Sequence, residues 1–277
     1  GSAYGCTVQA RGPRRPGERP MHIDLTGRRT LITAGAAGIG REFARAFERA
    51  GARVFVCDID RAALAILAAD APRMTTEPCD VSDRTAVERM VAACADRLGG
   101  IDILVNNAGI GGPTHPVEGL DPAEWEKTIE VDLNGAFYVT RAAIPHLKRS
   151  EAGVILNMSS VAGRFGYPNR SAYAAAKWGL VGFTKTLSIE LGAHGIRVNA
   201  ILPGVVEGER IERVFEGRAR VSGRSVEEVR AEAMRVQSIK RLVDPRDIAA
   251  LGVFLSSDYA QSISGQALSI DNDAQQL

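Results

Sequence analysis

The chain has 277 residues, enough for one large α/β domain or two small ones. Hydrophobic residues make up 45% and charged residues 24%, which is the balance of an ordinary globular protein. The formal net charge is +1 and no apolar run approaches the roughly 18 residues of a membrane span, so we expect neither nucleic acid nor a membrane as a partner.

Residues 1–20 differ in composition from the rest of the chain. Gly1-Ser2 resembles a cloning scar, and residues 11–20 (RGPRRPGERP) have no apolar periodicity. The prolines argue against an amphipathic organelle presequence. We expect a tag or a disordered leader over 1–20 and a single domain over 21–277.

Cysteine and histidine give no sign of a disulfide framework or a metal site. The four cysteines (6, 57, 79 and 94) form no C-x-x-C pair, and the four histidines (22, 115, 146 and 194) lack metal-ligand spacing. We therefore expect reduced thiols, no metal and a cytoplasmic protein. Cys57 and Cys94 are typical of small buried hydrophobic residues.

Short apolar runs alternate with longer amphipathic segments along the chain. The apolar runs predict strands at 30–33, 53–57, 74–77, 103–105, 154–158, 197–202 and 267–270. The amphipathic segments predict helices at 39–50, 61–69, 81–98, 122–147, 172–191 and 245–255. Strict alternation indicates an α/β fold: a single-domain Rossmann-type, doubly wound parallel sheet with helices on both faces. Such sheets bind ligands at the carboxyl ends of their strands.

A glycine-rich loop, TAGAAGIG (33–40), follows the first strand and opens the first helix. Glycine permits a tight turn and lets the backbone approach a pyrophosphate, while the helix amides face the phosphates. Such a loop can also be an ordinary turn, but its place between a strand and a helix favours a dinucleotide site. The candidate residues are Gly35, Gly38, Ile39 and Gly40.

Asp58 ends the second strand, 18 residues after Gly40. A carboxylate there accepts hydrogen bonds from an adenosine ribose and repels a 2′-phosphate. Neither Ile59 nor Ala37 is basic, and Arg41 lies inside the first turn of the helix. NAD is therefore favoured over NADP as the cofactor. An alternative role for Asp58, capping the next helix, fits Asp60 better.

Further motifs follow the later strands in a fixed order. Ser160 lies 13 residues before Tyr173 in the segment Tyr173-x-x-x-Lys177. The other segments are Asp80-Val81, Asn106-Asn107-Ala108-Gly109 and Pro203-Gly204. Together, over 24–277, they resemble the compact single-domain branch of the short-chain dehydrogenase/reductase family. The resemblance implies that the cofactor-binding set also includes Asp58, Ile59, Asp80, Val81, Asn107, Ala108, Gly109, Tyr173, Lys177, Pro203, Gly204 and Val206.

Tyr173 and Lys177 are four residues apart, so they share one face of a helix. A free tyrosine is protonated at neutral pH, and a nearby ammonium and a positive nicotinamide favour the phenolate. Tyr173 can then take the alcohol proton as hydride leaves for NAD, or return it during reduction. Ser160 can hold the substrate oxygen, and the resemblance implies that Lys177 also binds the nicotinamide ribose. Without the other motifs, Tyr173 and Lys177 would be interpreted as two ordinary exposed side chains on one helix.

Four positions depart from the family's pattern. Ala34 stands at the first loop glycine, Gly208 replaces a threonine, and 271–273 (DND) replaces Asp-Gly-Gly. Asp132 lies 41 residues before Tyr173, the separation of the family's proton-relay asparagine, whereas Asn134 is rotated about 200° around the helix. We expect cofactor binding to survive and Asp132, not Asn134, to serve the relay, with its carboxylate holding Lys177 through water. Alternatively, Asp132 only satisfies a local backbone group.

The substrate side is less specific. Residues 205–241 form an insertion expected to cover the substrate, with nine basic and seven acidic groups that mostly predict a solvated helical surface, although one arginine could meet an anionic substrate. The expected wall residues are Ile110, Gly111, Gly112, Arg164, Phe165, Tyr167 and Val206. This mixed, polar set is compatible with a sugar, a polyol or a cyclic hydroxy compound.

Other functions remain open from the sequence. A 3-oxoacyl-thioester reductase is the alternative enzyme, although Asp58 disfavours the NADPH that such reductases usually draw on. A nucleotide-sensing regulator is the non-enzyme alternative, but such proteins tend to lose the tyrosine or lysine present here. A sugar-nucleotide epimerase is a third alternative, but such chains usually carry a larger C-terminal substrate domain. The resemblance also implies a homotetramer or homodimer packed through the helices at 122–147 and 172–191.

Overall fold

The computed structural model describes residues 23–276. The expected leader over 1–20, together with Cys6, His22 and Leu277, lies outside the described residues. Seven strands form one sheet: β1 (Arg29–Thr33), β2 (Arg53–Asp58), β3 (Thr75–Pro78), β4 (Ile103–Asn106), β5 (Val154–Met158), β6 (Arg197–Pro203) and β7 (Ala267–Ile270). Their order is β3-β2-β1-β4-β5-β6-β7, and every pairing is parallel. The predicted doubly wound α/β fold is confirmed.

Nine α-helices of the described chain surround this sheet. They are α1 (Gly38–Arg49), α2 (Arg61–Asp70), α3 (Arg84–Leu98), α4 (Pro122–Ile129), α5 (Gly135–Leu147), α6 (Ser171–Gly192), α7 (Glu209–Ser222), α8 (Val226–Arg235) and α9 (Pro245–Ser256). None of the helices within residues 23–276 is long and apolar enough to cross a membrane.

The sheet is apolar on both faces because successive strand residues point to opposite sides. In β1, Ile32 packs into the cluster that contains Phe43 of α1, whereas Leu31 packs into the opposite cluster with Met90 of α3. Cys57 and Cys94 are fully buried in the second cluster, as expected for small hydrophobic side chains. Because helices cover both faces of the sheet, a ligand is expected at the carboxyl ends of the strands.

Two predicted helices differ from the structure. The helix expected over 81–98 begins at Arg84, because the Asp83 side chain accepts the amides of Thr85 and Ala86 and caps it there. The helix expected over 122–147 is interrupted by a π-helical segment, Glu130–Asn134, between α4 and α5. The interruption matters for function, since it contains Asp132.

Candidate active site

The glycine-rich loop joins β1 to α1 at the carboxyl end of the sheet. Ala34 adopts a left-handed backbone (φ 49°), as does Gly38 (φ 52°). An L-residue pays roughly 1–2 kcal/mol for this conformation, and alanine is tolerated in place of glycine at that cost. At the next residue, Gly35, alanine does not fit without a shift, because a Cβ there would lie 2.8 Å from Cγ1 of Val56 in β2.

Asn107, directly after β4, holds this loop in place. Its Nδ2 donates to the carbonyl oxygens of Thr33 (3.1 Å) and Ala34 (2.9 Å). In return, Thr33 Oγ1 accepts the backbone amides of Asn107 and Ala108, each at 3.0 Å. A Cβ at Gly40 would overlap the carbonyl oxygen of Ala34 and lie 2.6 Å from Asn107 Nδ2. The first turn of α1 can therefore approach the loop only with glycine at position 40.

Asp58 lies against the same loop from the end of β2. One carboxylate oxygen accepts the amide of Ala36 (3.1 Å) and the other accepts the amide of Asp60 (3.1 Å). Helix α2 is capped instead by Asp60, whose side chain accepts the amides of Ala62 and Ala63. Asp58 thus adjoins the loop rather than capping a helix, and its neighbour Ile59 is 68% exposed.

Asp80 and Val81 follow β3 at the same edge. Burial opposes ionisation of Asp80, but hydrogen bonds from the hydroxyl (2.7 Å) and amide (2.9 Å) of Ser82, with the charge of Lys127, outweigh it and lower the Asp80 pKa. Val81 is buried against the start of α5, where a Cβ at Gly135 would lie 2.8 Å from its Cγ2. The carboxylate is thereby kept ionised and fixed.

Helix α6 carries Tyr173 and Lys177 on one face. The ammonium of Lys177 lies 5.5 Å from the centre of the Tyr173 ring and donates to the carbonyl oxygen of Met158 at the end of β5 (3.1 Å). Lys177 is 3% exposed. The ammonium is therefore held in the interior beside the tyrosine.

Asp132 is the carboxylate that faces this ammonium. Its Oδ2 lies 3.3 Å from Lys177 Nζ, and its Oδ1 accepts the amide of Ile110 (2.6 Å). At this distance the two groups are in direct contact, rather than joined through the water expected from the sequence. Asn134 turns away and donates to Glu130 Oε2 (2.6 Å). Gly109 leaves room for the pair, since a Cβ there would lie 3.1 Å from Lys177 Nζ.

Ser160 begins a 3-10 turn, Val161–Gly163, after β5, and its Oγ accepts the amide of Ala162 (3.1 Å). The turn is pressed onto α6: Ser159 Oγ donates to the carbonyl oxygen of Lys177 (2.8 Å), and a Cβ at Gly163 would lie 2.7 Å from that oxygen. Neither Ser159 nor Gly163 was predicted from the sequence, because nothing in their local pattern distinguishes them from ordinary turn residues.

Pro203 ends β6 and Gly204 directly follows it. Gly204 donates to the carbonyl oxygen of Ile270, and a Cβ on it would lie 2.7 Å from Cα of Asp271. Val206 pairs with Val243 in an isolated bridge. Gly208 has φ 138°, a conformation that favours glycine over the threonine of the family's pattern. The insertion over 205–241 then continues as the two helices α7 and α8.

The role of Asp132 can be separated from that of Asn134 by mutation. Asp132→Asn keeps an acceptor for the Ile110 amide but removes the charge that offsets Lys177. We expect it to retain activity and to move the acidic limb of the oxidation profile to lower pH, because the remaining positive charge favours a negative group beside it. Asn134→Ala is the matched control and should change little. Loss of activity in Asn134→Ala alone would show that the relay position is not Asp132.

The chain resembles known oxidoreductases over most of its length. Residues 34–272 match the family model described as Enoyl-(Acyl carrier protein) reductase. A 2-keto-3-deoxy-L-fuconate dehydrogenase of Xanthomonas campestris pv. campestris is 38% identical, over 96% of this chain and 84% of that protein. A D-beta-hydroxybutyrate dehydrogenase of Cupriavidus necator is 36% identical, over 89% and 97%. The crystal structure of an actinorhodin polyketide ketoreductase with NADPH superposes with a TM-score of 0.83, at 34% identity over 88% and 95%.

Proposed function

The chain belongs to the short-chain dehydrogenase/reductase family, and from that premise we propose that it transfers a hydride between NAD(H) and a secondary alcohol or ketone. Membership makes it a nicotinamide-dependent oxidoreductase of CH–OH groups. The observation that carries the proposal is the buried contact of Lys177 with Asp132 beside Tyr173, at the carboxyl edge of the sheet.

The residues at this edge fit a dinucleotide. Gly40 has no room for a Cβ, so glycine lets the first turn of α1 lie close to the loop. The amides of that turn would then face a pyrophosphate. Asp58 places a carboxylate beside the loop, where an adenosine ribose is recognised. Asp80 and Val81 would contact the adenine. Asn107, Ala108 and Gly109 would lie on the adenosine side of the cofactor. Pro203, Gly204 and Val206 would lie on its nicotinamide side.

The proton chemistry falls to this chain's own side chains. When bound, the nicotinamide supplies the hydride acceptor or donor. Ser160 holds the substrate oxygen by a hydrogen bond, and Tyr173 Oη takes the hydroxyl proton during oxidation or returns it during reduction. The Lys177 ammonium favours the phenolate, and Asp132 fixes that ammonium. Ser160, Tyr173, Lys177 and Asp132 form the proposed catalytic set.

Asp58 is the basis for choosing NAD over NADP. Replacing it with serine removes the repulsion of a 2′-phosphate, so Asp58→Ser should narrow the preference for NAD by at least about tenfold. The measurement is kcat/KM with each cofactor at one substrate concentration. Asp60→Ser is a matched control: it removes a neighbouring carboxylate, serine can still cap α2, and the ratio should not change. A native enzyme that works better with NADPH would contradict the choice of NAD.

The substrate is proposed to be a sugar, a polyol or a cyclic hydroxy compound. The dehydrogenases from Xanthomonas and Cupriavidus are named for hydroxy or keto acids, which supports a small polar substrate. The alternative, a 3-oxoacyl-thioester reductase, is favoured by the likeness to the polyketide ketoreductase, and the description of the family model also names an acyl-carrier-protein substrate. A panel of alcohols, ketones and acetoacetyl-CoA with NAD(H) and NADP(H), followed at the nicotinamide absorbance, separates them. Turnover confined to the thioester with NADPH would establish the alternative.

The helices α5 and α6 are proposed to pack against another subunit in a dimer or tetramer. Their exposed surface includes Phe137, Trp178 and Ile189, which are 45%, 50% and 83% exposed. Phe137 stacks edge-on to Phe183 of the other helix, so the apolar surface is continuous between them. Light scattering at micromolar concentration should give the molecular mass of a dimer or tetramer. The Ile189→Glu variant should give a lower mass, because a charge would be buried in the interface. A monomer at that concentration would refute the assembly.

A further inference from the structure

Arg170 is a buried cation beside the proposed catalytic tyrosine. It is 3% exposed, and its guanidinium carbon lies 5.1 Å from the centre of the Tyr173 ring and 5.3 Å from that of Tyr167. One terminal nitrogen donates to the carbonyl oxygen of Gly111, in the loop that follows β4. Its Nε is buried and has no hydrogen-bond partner among residues 23–276. The next residue, Ser171, also has a buried hydroxyl oxygen without a partner in that part of the chain.

The charge of Arg170 has no counter-ion among residues 23–276, where no carboxylate lies within 4.0 Å of its nitrogens. Other arginines of this chain, such as Arg29, Arg224 and Arg230, pair with carboxylates. Leaving a buried charge without a partner is costly, whereas pairing and hydrogen-bonding it recovers much of that cost. The position therefore favours an anion that the described chain does not supply.

Two arginines of α7 add to the positive charge. The guanidinium carbon of Arg210 lies 5.9 Å from the centre of the Tyr173 ring, and that of Arg218 lies 6.0 Å from the centre of the Tyr167 ring. Neither forms an ion pair within the described part of the chain. Since α7 belongs to the insertion over 205–241, the insertion brings two further cations to the same tyrosines.

From these contacts we infer that the substrate is a hydroxy or keto acid whose carboxylate pairs with Arg170, with Arg210 and Arg218 at the rim. A planar guanidinium binds a carboxylate through two parallel hydrogen bonds, which Nε and a terminal nitrogen can supply. This inference rests on the proposed function, because it concerns the substrate of the same site. The Arg170 guanidinium carbon lies 5.1 Å from the centre of the Tyr173 ring, so a carboxylate paired with it would lie within a few bonds of the reacting carbon. The inference narrows the proposed small polar substrate to one that also carries a carboxylate.

The charge requirement can be measured by binding and by turnover. We would titrate the NADH complex with malonate and with malonamide, its uncharged analogue, by calorimetry. Turnover would be compared for 3-hydroxybutyrate and its methyl ester with NAD. We expect malonate to bind at least about tenfold more tightly than malonamide, and the acid to have the higher kcat/KM.

Variants identify the residue responsible. Arg170→Gln should lower malonate affinity and kcat/KM for the acid by at least about thirtyfold, while malonamide and the ester change little. Arg170→Lys should keep part of the preference. Arg213→Gln, an exposed arginine on α7 without a contact to either tyrosine, is the matched control. Should Arg170→Gln unfold, the exposed Arg210→Gln should still lower malonate affinity by about threefold and leave malonamide unchanged.

The outcomes separate this inference from the proposed function. Turnover of neutral alcohols with no advantage for acids, or equal losses for acid and ester in Arg170→Gln, would overturn the inference and leave the oxidoreductase. Charge-dependent malonate binding without turnover of any alcohol or ketone would support the anion site and overturn the proposed reaction.

Discussion

Tyr173→Phe is expected to reduce turnover by at least a hundredfold while NAD still binds. Only the phenolic oxygen is lost, and a general acid–base group contributes about 10²–10⁴-fold to such a reaction. The ring contacts with Tyr167, Arg170 and Lys177 are made by the aromatic face and edge, so phenylalanine preserves them. The measurements are kcat with the best substrate of the panel and the dissociation constant of NADH by fluorescence.

Tyr259 provides the matched control for this variant. It is 58% exposed in the 3-10 turn Asp258–Ala260, which follows α9. Tyr259→Phe should therefore keep the rate of the unmodified enzyme. A Tyr173→Phe enzyme that retains more than about a tenth of the wild-type rate would remove Tyr173 from the proton transfer.

Gly40→Ala is expected to abolish NADH binding. The new methyl group would overlap the carbonyl oxygen of Ala34 and lie 2.6 Å from Asn107 Nδ2. Relieving that overlap moves the loop away from Asn107 and disrupts the close approach of backbone to pyrophosphate. We expect affinity to fall by at least about a hundredfold, with a destabilisation of roughly 1–3 kcal/mol from overpacking.

Gly182→Ala is the control for Gly40→Ala. It lies in α6, where a Cβ would meet nothing within 4 Å, so alanine should keep NADH affinity and favour the helix. Both variants would be followed by thermal unfolding and by NADH titration. Wild-type affinity in a folded Gly40→Ala protein would show that the first turn of α1 does not approach the cofactor.

The interruption of the helix between Pro122 and Leu147 could not be predicted from the sequence. The apolar spacing predicts one continuous helix, and the residues of the π-helical segment Glu130–Asn134 carry no distinct compositional signal. The separation of Asp132 from Tyr173 along the chain still indicated that Asp132 lies near the site, because the family's relay position is recognised by that separation. It did not reveal that Asp132 touches Lys177 directly, which depends on how α6 packs against this segment.

By itself, the sequence determined the features that depend on local geometry. The alternation of apolar and amphipathic segments led to a parallel sheet, since strand and helix periods are fixed by the backbone. The four-residue spacing of Tyr173 and Lys177 put them on one helix face for the same reason. The glycine loop was recognisable because it must follow a strand and open a helix.

Only the tertiary structure decided which charges meet a partner. Asp132 and Lys177 are 45 residues apart, and their contact depends on how α6 packs against the π-helical segment. Arg170 looks like any polar residue before a helix, and its burial without a counter-ion follows from the packing of the loop after β4 and of α7 around two tyrosines. Coulomb and desolvation energies depend on distances between elements that are remote in sequence, and no local pattern encodes those distances.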